Sequence, residues 1–159
     1  MNQKSNDEIA RVIGRIPSGC SILTVRTAGK RTGMLASWVQ QAAFEPPMVS
    51  VAVKRDRPIE KFIDEAGGFV LNLLGENPTQ MFKHFGKGFS PEEDAFGGMS
   101  VREVPYGVVI PDQIAWLSAR VRAKNESGDH WIYLGEVTEA GGDGGLQPYV
   151  HLRKNGLSY

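Results

Sequence analysis

From Ala115 to Lys124 the chain alternates without a break: Ala115, Leu117, Ala119, Val121 and Ala123 fall on one side, and Trp116, Ser118, Arg120, Arg122 and Lys124 on the other. Successive side chains of an extended strand point to opposite faces, so this period of two predicts a strand with one small, buried face and one polar face. Asn125 to Asp129 has the composition of a turn. His130 to Glu139 then returns with Trp131, Tyr133, Gly135 and Val137 on a common face, which predicts a long antiparallel hairpin. A hairpin of this kind has to bury its small face against further strands, and the rest of the chain supplies them.

Cys20 to Thr27 is small, β-branched or apolar and runs into Ala28-Gly29-Lys30-Arg31-Thr32-Gly33, the composition of a strand entering a turn, with Gly33 to Gln41 as the expected return strand. Pro46-Pro47 restarts the chain in an extended direction. Met48 to Val53 is a continuous apolar run of strand length, expected to be central and buried on both faces. Phe69 to Leu74 reads as another strand. Three short helices are expected at the margins. One is capped by Asn6 and carries Ile9, Val12, Ile13 and Ile16 onto an apolar surface, one opens at Pro58 with Ile59, Phe62 and Ile63, and one opens at Asn77-Pro78. Gly86 to Gly98 lacks periodicity but contains Phe89 and Phe96, as a docked functional loop would. Six or so strands joined mostly by short turns predict a mainly β fold, a closed antiparallel barrel with flanking helices, built as one domain over residues 1–159.

The 18 basic and 18 acidic residues balance to a net charge of zero, so no global field is available to hold nucleic acid or an acidic membrane, and neither is expected as a partner. Any anion site must be local. Cys20 is the only cysteine, which rules out an internal disulfide and a thiolate-rich metal site and fits a reducing cytoplasm. The first residues lack the apolar core of a leader, and no stretch is long enough to span a bilayer. Neither GxGxxG nor GxxxxGK[ST] nor GxSxG occurs, so Rossmann, P-loop and serine-hydrolase chemistry have no sequence support. His84 has no companion at ligand spacing, and no metal is expected.

Three segments carry candidate chemistry. Lys54-Arg55-Asp56-Arg57-Pro58 lies where a strand hands over to a helix, and its cations meet free backbone N–H groups, a combination that binds a phosphate monoester. The same residues also fit a solvated basic turn in which Asp56 or Glu60 pairs its neighbours. Gly33 to Ala42 is small in its middle and rich in amide and hydroxyl groups, so a flat ring could lie against its backbone with Ser37 and Gln40 meeting its polar edge. It equally fits a barrel strand with small residues where strands crowd. His130 follows a tight turn and opens a strand, a position suited to a proton donor near neutral pH or to a turn residue bonded to a carbonyl.

The order of these segments resembles the flavin reductase-like family of FMN-binding split barrels. The resemblance rests on Pro17-Ser18-Gly19 before a strand, Gly33-Met34-Leu35-Ala36-Ser37-Trp38, Phe44-Glu45-Pro46-Pro47 leading to Val51-Ala52-Val53-Lys54-Arg55-Asp56-Arg57, Phe69 to Leu74, and Gly128-Asp129-His130 with Gly135-Glu136-Val137. Ala36-Ser37-Trp38-Val39-Gln40-Gln41-Ala42, Gly128-Asp129-His130-Trp131-Ile132 and Val150-His151-Leu152-Arg153-Lys154 are similar to the flavin reductase-like domain at the C-terminal end of diflavin flavoproteins, and the domain is expected to stand without their metal-binding partner domains. The resemblance implies a Greek-key-like split β-barrel and a homodimer with FMN, ahead of FAD, near the subunit interface. It places the flavin ring by Met34, Leu35, Ala36, Ser37 and Gln40 and the phosphate by Val53, Lys54, Arg55, Asp56 and Arg57, under a loop carrying Phe85, Lys87 and Phe89. His130 is the implied catalytic residue, with His151 and Arg153 beside the same substrate pocket. The implied activity is an NADH- or NADPH-dependent reductase of free flavin or a ferric chelate. A flavoredoxin-like FMN carrier serving a redox protein partner is the alternative, and a heme or flavin storage module a third reading. Trp38 is bulkier than the residue many relatives have there, and Asp56 puts a negative charge inside the phosphate segment.

Overall fold

The computed structural model describes residues 3–158. Seven strands form one antiparallel sheet: β2 (Ser21–Thr27), β3 (Lys30–Ala36), β4 (Val39–Ala43), β5 (Met48–Lys54), β6 (Gly68–Leu74), β9 (Gln113–Ser127) and β10 (His130–Gly142). Their order across the sheet is β3-β2-β6-β9-β10-β5-β4. Consecutive strands β3 and β4 therefore lie at opposite edges, yet only Ser37 and Trp38 separate them, so the sheet has to curl until its edges meet. Trp38 accepts a hydrogen bond from the Ala52 N–H (3.0 Å), which extends the β4–β5 ladder to the point where the chain leaves β3. β3 and β5 themselves approach without a ladder between them. The result is a split barrel and not the closed one that the strand count predicts: edge pairing fails where β3 ends.

The hairpin of β9 and β10 turns on Gly128-Asp129, with Ser127 opposite His130, and two register shifts bend it into the curl. At Gly135 an added Cβ would lie 2.8 Å from Phe69 and 2.9 Å from Ala119, so the absent side chain is what lets the Phe69 ring into the barrel. The interior gathers Leu23, Val25, Val51, Val53, Phe69, Leu71, Ala119 and Tyr133, capped by Ile59, Phe62 and Ile63 of α2 (Pro58–Ala66). A second cluster joins Cys20, Ile22 and Leu74 to Met81 and Phe85 of α3 (Thr79–Phe85), with Ala95, Phe96, Val108 and Ile110. β2 and β6 are thus covered on both faces.

Several sequence expectations need correction. The return strand after Ala28-Gly29 begins at Lys30 and ends at Ala36, so Gly33 to Gln41 is divided between β3 and β4. β5 lies next to an edge, and its burial alternates because Ser50 and Ala52 face away from the core. Helix α1 (Gln3–Ile13) already contains Asn6, which therefore is not its cap, and Val12 and Ile16 are exposed. The C-terminal segment packs on that helix, with the Gly156 N–H donating to the Ala10 carbonyl. Strands β7 (Arg102–Val104) and β8 (Gly107–Val109) form a hairpin absent from the sequence reading, and β1 (Ser18–Gly19) pairs with β11 (Val150–His151). No helix among the described residues is long and apolar enough to cross a membrane.

Cys20 is buried, and burial pushes its thiol up to about 11. The thiolate is the reactive form, so at neutral pH the native protein is expected to resist alkylation by iodoacetamide and to label rapidly only in denaturant. Fast labelling of the folded protein would contradict this burial.

Candidate functional site

The seam between β3 and β5 is lined by a groove in three connected stretches. The first, about 350 Å³, lies among Thr32, Gly33, Met34, Arg57, Pro58, Lys87, Gly88 and Phe89. The second, about 170 Å³, continues along Met34, Leu35, Ala36, Ser37 and Trp38 on one side and Ala52, Lys54, Arg57, Phe85 and Gly88 on the other. The third, about 440 Å³, is bounded by Trp38, Lys54, Asp129, His130, Arg153 and residues 156–158. Met34, Arg57 and Gly88 are shared by the first two stretches, Trp38 and Lys54 by the last two.

Strand register brings distant segments together here. Lys54, the last residue of β5, pairs with His130, the first of β10, and the Arg55 N–H donates to the Asp129 carbonyl (3.0 Å). The cationic turn and the histidine turn are therefore one rim. The loop after α3 forms the opposite wall. It is seated by Phe85 and Phe96, both almost fully buried, and by a 2.7 Å hydrogen bond between His84 Nε2 and the Ala95 carbonyl. At Gly33 a Cβ would press on Phe85 (3.0 Å) and Phe96 (3.2 Å), so the small residue in β3 is what allows this wall to close in.

Charge is distributed unevenly around the groove. Most cations elsewhere have carboxylate partners: Lys30 with Glu92, Arg31 with Asp94, Arg26 with Glu103, and Arg120 and Arg122 with Glu136. Lys54, Arg57 and Lys87 have none within 4 Å among the described residues, although all three line the groove. Glu93 is the carboxylate in the first stretch, and the Ser90 N–H (2.7 Å) already binds it, holding it below the ordinary glutamate range. Lys54 and Lys87 act only at longer range, helping to lower the carboxyls of Asp129 and Glu93, so positive charge concentrates around one cleft.

His130 is buried, with its Nδ1 2.7 Å from an Asp129 carboxylate oxygen. That bond holds the Asp129 carboxyl below the usual aspartate range and, in the neutral ring, fixes the tautomer with the proton on Nδ1. The Trp38 ring lies 4.6 Å from the imidazole centroid, and the Arg153 guanidinium stacks on that indole at 4.9 Å.

Of the residues singled out in the sequence, Met34, Leu35, Ala36, Ser37, Lys54, Arg57, Phe85, Lys87, Phe89, His130 and Arg153 line the groove. Five do not. Val53 points into the barrel core. Arg55 turns outward to Glu126 (2.9 Å) and stacks on Trp131. Asp56 contributes its backbone, in the left-handed region at φ 64°. Gln40 is exposed on β4, and His151 sits by Tyr149 and Phe82. Thr32, Ala52 and Ser90 line the groove without having been singled out. Thr32 adjoins Gly33 of the small-residue segment, and that adjacency was the available signal.

Residues 13–156 match the model of the flavin reductase like domain. The chain belongs to the flavin reductase-like family. It is 38% identical over 159 residues, 97% of its length, to diflavin flavoprotein A 1 of Synechocystis sp., while covering 27% of that protein. The chain thus spans about a quarter of the length of the curated relatives it matches. Among solved structures, the NADH:FAD oxidoreductase of Streptomyces globisporus C-1027 superimposes with a TM-score of 0.84 at 24% identity, covering 96% of this chain and 92% of that one. A flavoredoxin from Methanosarcina acetivorans gives 0.71 at 22% identity over 80% of this chain and 70% of that one. At such identities the likeness establishes the flavin reductase-like split-barrel fold.

Proposed function

We propose that this flavin reductase-like domain binds FMN in the seam groove and serves as an NAD(P)H-dependent flavin or ferric reductase. The observation that carries the reading is the convergence of Lys54, Arg57 and Lys87, none with a carboxylate within 4 Å among the described residues, on a cleft whose adjoining wall is Met34 to Ser37. Arg57 and Lys87 hold the phosphate dianion, with Lys54 adding charge between phosphate and ring. The β3 backbone and Ser37 supply donors and acceptors to the pyrimidine edge, and Phe85, Gly88 and Phe89 exclude water from the flavin. FMN when bound supplies the chemistry, accepting a hydride at N5 and passing electrons on. His130, held by Asp129 at the rim of the groove, is the group assigned to the nicotinamide carboxamide or, once protonated, to a reducible acceptor. Arg153 and Lys54 bring positive charge to the phosphates of the nicotinamide nucleotide.

The homodimer belongs to the same proposal. Phe44 is 90% exposed, and Val12, Ile16, Val150 and Leu152 also show apolar surface, which a second copy would cover.

One observation favours the alternative of an FMN carrier reduced by a protein partner. The Trp38 ring covers a face of the buried His130 ring, so a nicotinamide stacks there only if the indole moves. Steady-state oxidation of NADH and NADPH with excess FMN separates the two readings: a reductase turns over, whereas a carrier binds FMN and shows none. In the reductase, His130→Ala is expected to slow flavin reduction on the order of 100-fold and to leave the visible spectrum of the bound flavin in place. Loss of turnover and flavin together would make His130 a structural residue.

A further inference from the structure

We infer that Glu60, braced by Lys124, is a positioning residue that holds the Lys54–Arg57 turn in its anion-binding shape. The inference rests on the reading of that turn as the FMN phosphate site and names what gives the site its form.

Asp56 adopts a φ of 64°, a conformation that disfavours a residue with a Cβ and persists only when neighbours over-determine it. Three bonds do so. The Arg55 N–H donates to the Asp129 carbonyl at 3.0 Å, the Arg57 N–H to the Lys54 carbonyl at 3.4 Å, and the Asp56 N–H to Glu60 Oε2 at 3.1 Å. Arg57 is the N-cap of α2 and Glu60 stands three residues on, where a glutamate reaches back to satisfy an open N–H before the helix. The Asp56 side chain has no cation within 4 Å among the described residues, so Glu60, and not the Asp56 carboxylate, does the holding.

Glu60 is itself fixed from behind. Lys124 Nζ donates to Glu60 Oε1 at 3.0 Å and to Asp64 Oδ2 at 2.7 Å, and Tyr133 Oη donates to Asp64 Oδ1 at 3.0 Å. The ammonium lies over Trp131 at 4.5 Å and Tyr133 at 5.3 Å. Burial works against its charge, but the bonds to Asp64, Glu60 and Tyr133 outweigh that and keep it protonated. Lys124 has a second consequence: a bare carboxylate beside a phosphate site repels the ligand, and the lysine cancels that charge while leaving the oxygen that binds Asp56 in place.

Positioning and charge make opposite forecasts, which is what makes the inference testable. Removing a negative charge near the site would tighten FMN if charge alone mattered. If Glu60 positions the turn, Glu60→Ala weakens FMN by about tenfold, the loss of a charge-assisted bond, while affinity for riboflavin, which has the same ring and no phosphate, stays put. Fluorescence titration of the full chain with FMN and with riboflavin reads the ratio directly. Lys124→Met is expected to lower the ratio in the same way, and Lys124→Arg to restore it. An unchanged or higher ratio in Glu60→Ala, with Arg57→Ala lowering it, overturns the positioning role and leaves the phosphate site standing; a ratio untouched by Arg57→Ala removes the phosphate site itself. Should Glu60→Ala not fold, Glu60→Met takes its place. It keeps a similar side-chain length and removes both acceptor oxygens, so the ratio should again fall, and an unaltered ratio overturns the inference.

Discussion

Arg57→Ala is expected to lower FMN affinity by about 10- to 100-fold and riboflavin affinity hardly at all. A hydrogen bond to a charged group contributes about 1.5–3 kcal/mol, and the Arg57 guanidinium has no competing carboxylate among the described residues. Its side chain lines both the stretch beside Lys87 and the stretch beside Met34, so it stands where a phosphate would join a ring-bearing chain. The neighbouring arginine supplies the control. Arg55 is committed to Glu126 and Trp131, and its contribution to the turn is a backbone N–H that survives substitution. Arg55→Ala should therefore shift FMN affinity by no more than about threefold, within the range of an exposed ion pair. Equal losses in the two variants would mean that the cluster acts through net charge and not through placement.

Asn72→Leu is expected to destabilise the fold by about 3 kcal/mol or more, read from the denaturant midpoint. Asn72 is fully buried in β6. Its amide donates to the Ile22 carbonyl (3.2 Å) and the Val108 carbonyl (3.1 Å), and its oxygen accepts from the Ile110 N–H (3.0 Å). Each buried backbone group left unsatisfied costs about 1–3 kcal/mol. The side chain thereby stitches the β7–β8 hairpin to the barrel, helped by Thr24, whose hydroxyl donates to the Val108 carbonyl and accepts the Val108 N–H. A midpoint shifted by less than about 1 kcal/mol would mean that water or backbone movement replaces those bonds. FMN binding in the folded fraction should persist, because Asn72 does not line the groove.

These two cases also mark what a sequence reveals and what it hides. The β9–β10 hairpin was legible because one face is polar, which makes the period of two visible. Met48 to Val53 reads as a continuous apolar run, but Ser50 and Ala52 face away from the core; small residues disguise the alternation, so the strand looks more central than it is. The break at Ser37-Trp38 carries no glycine or proline, and its cause is non-local: β3 must leave β2 for the chain to reach β5. The cationic segment was found, but its arginines could not be ranked, because Glu126 and Trp131 reach Arg55 only through the β5–β10–β9 ladder. Asn72 lies inside the strand read from Phe69 to Leu74, and its role was not read there. Its partners in β8 stayed hidden because three-residue strands around Pro105-Tyr106 are too short to show a period.

A crystal of the unaltered protein soaked in FMN tests the proposed site most directly. The phosphate should lie within about 3 Å of the Arg57 guanidinium, facing the Gly88 loop, with the ring along Met34 to Ser37. Flavin density elsewhere, or a seam left vacant at saturating FMN, would contradict the account.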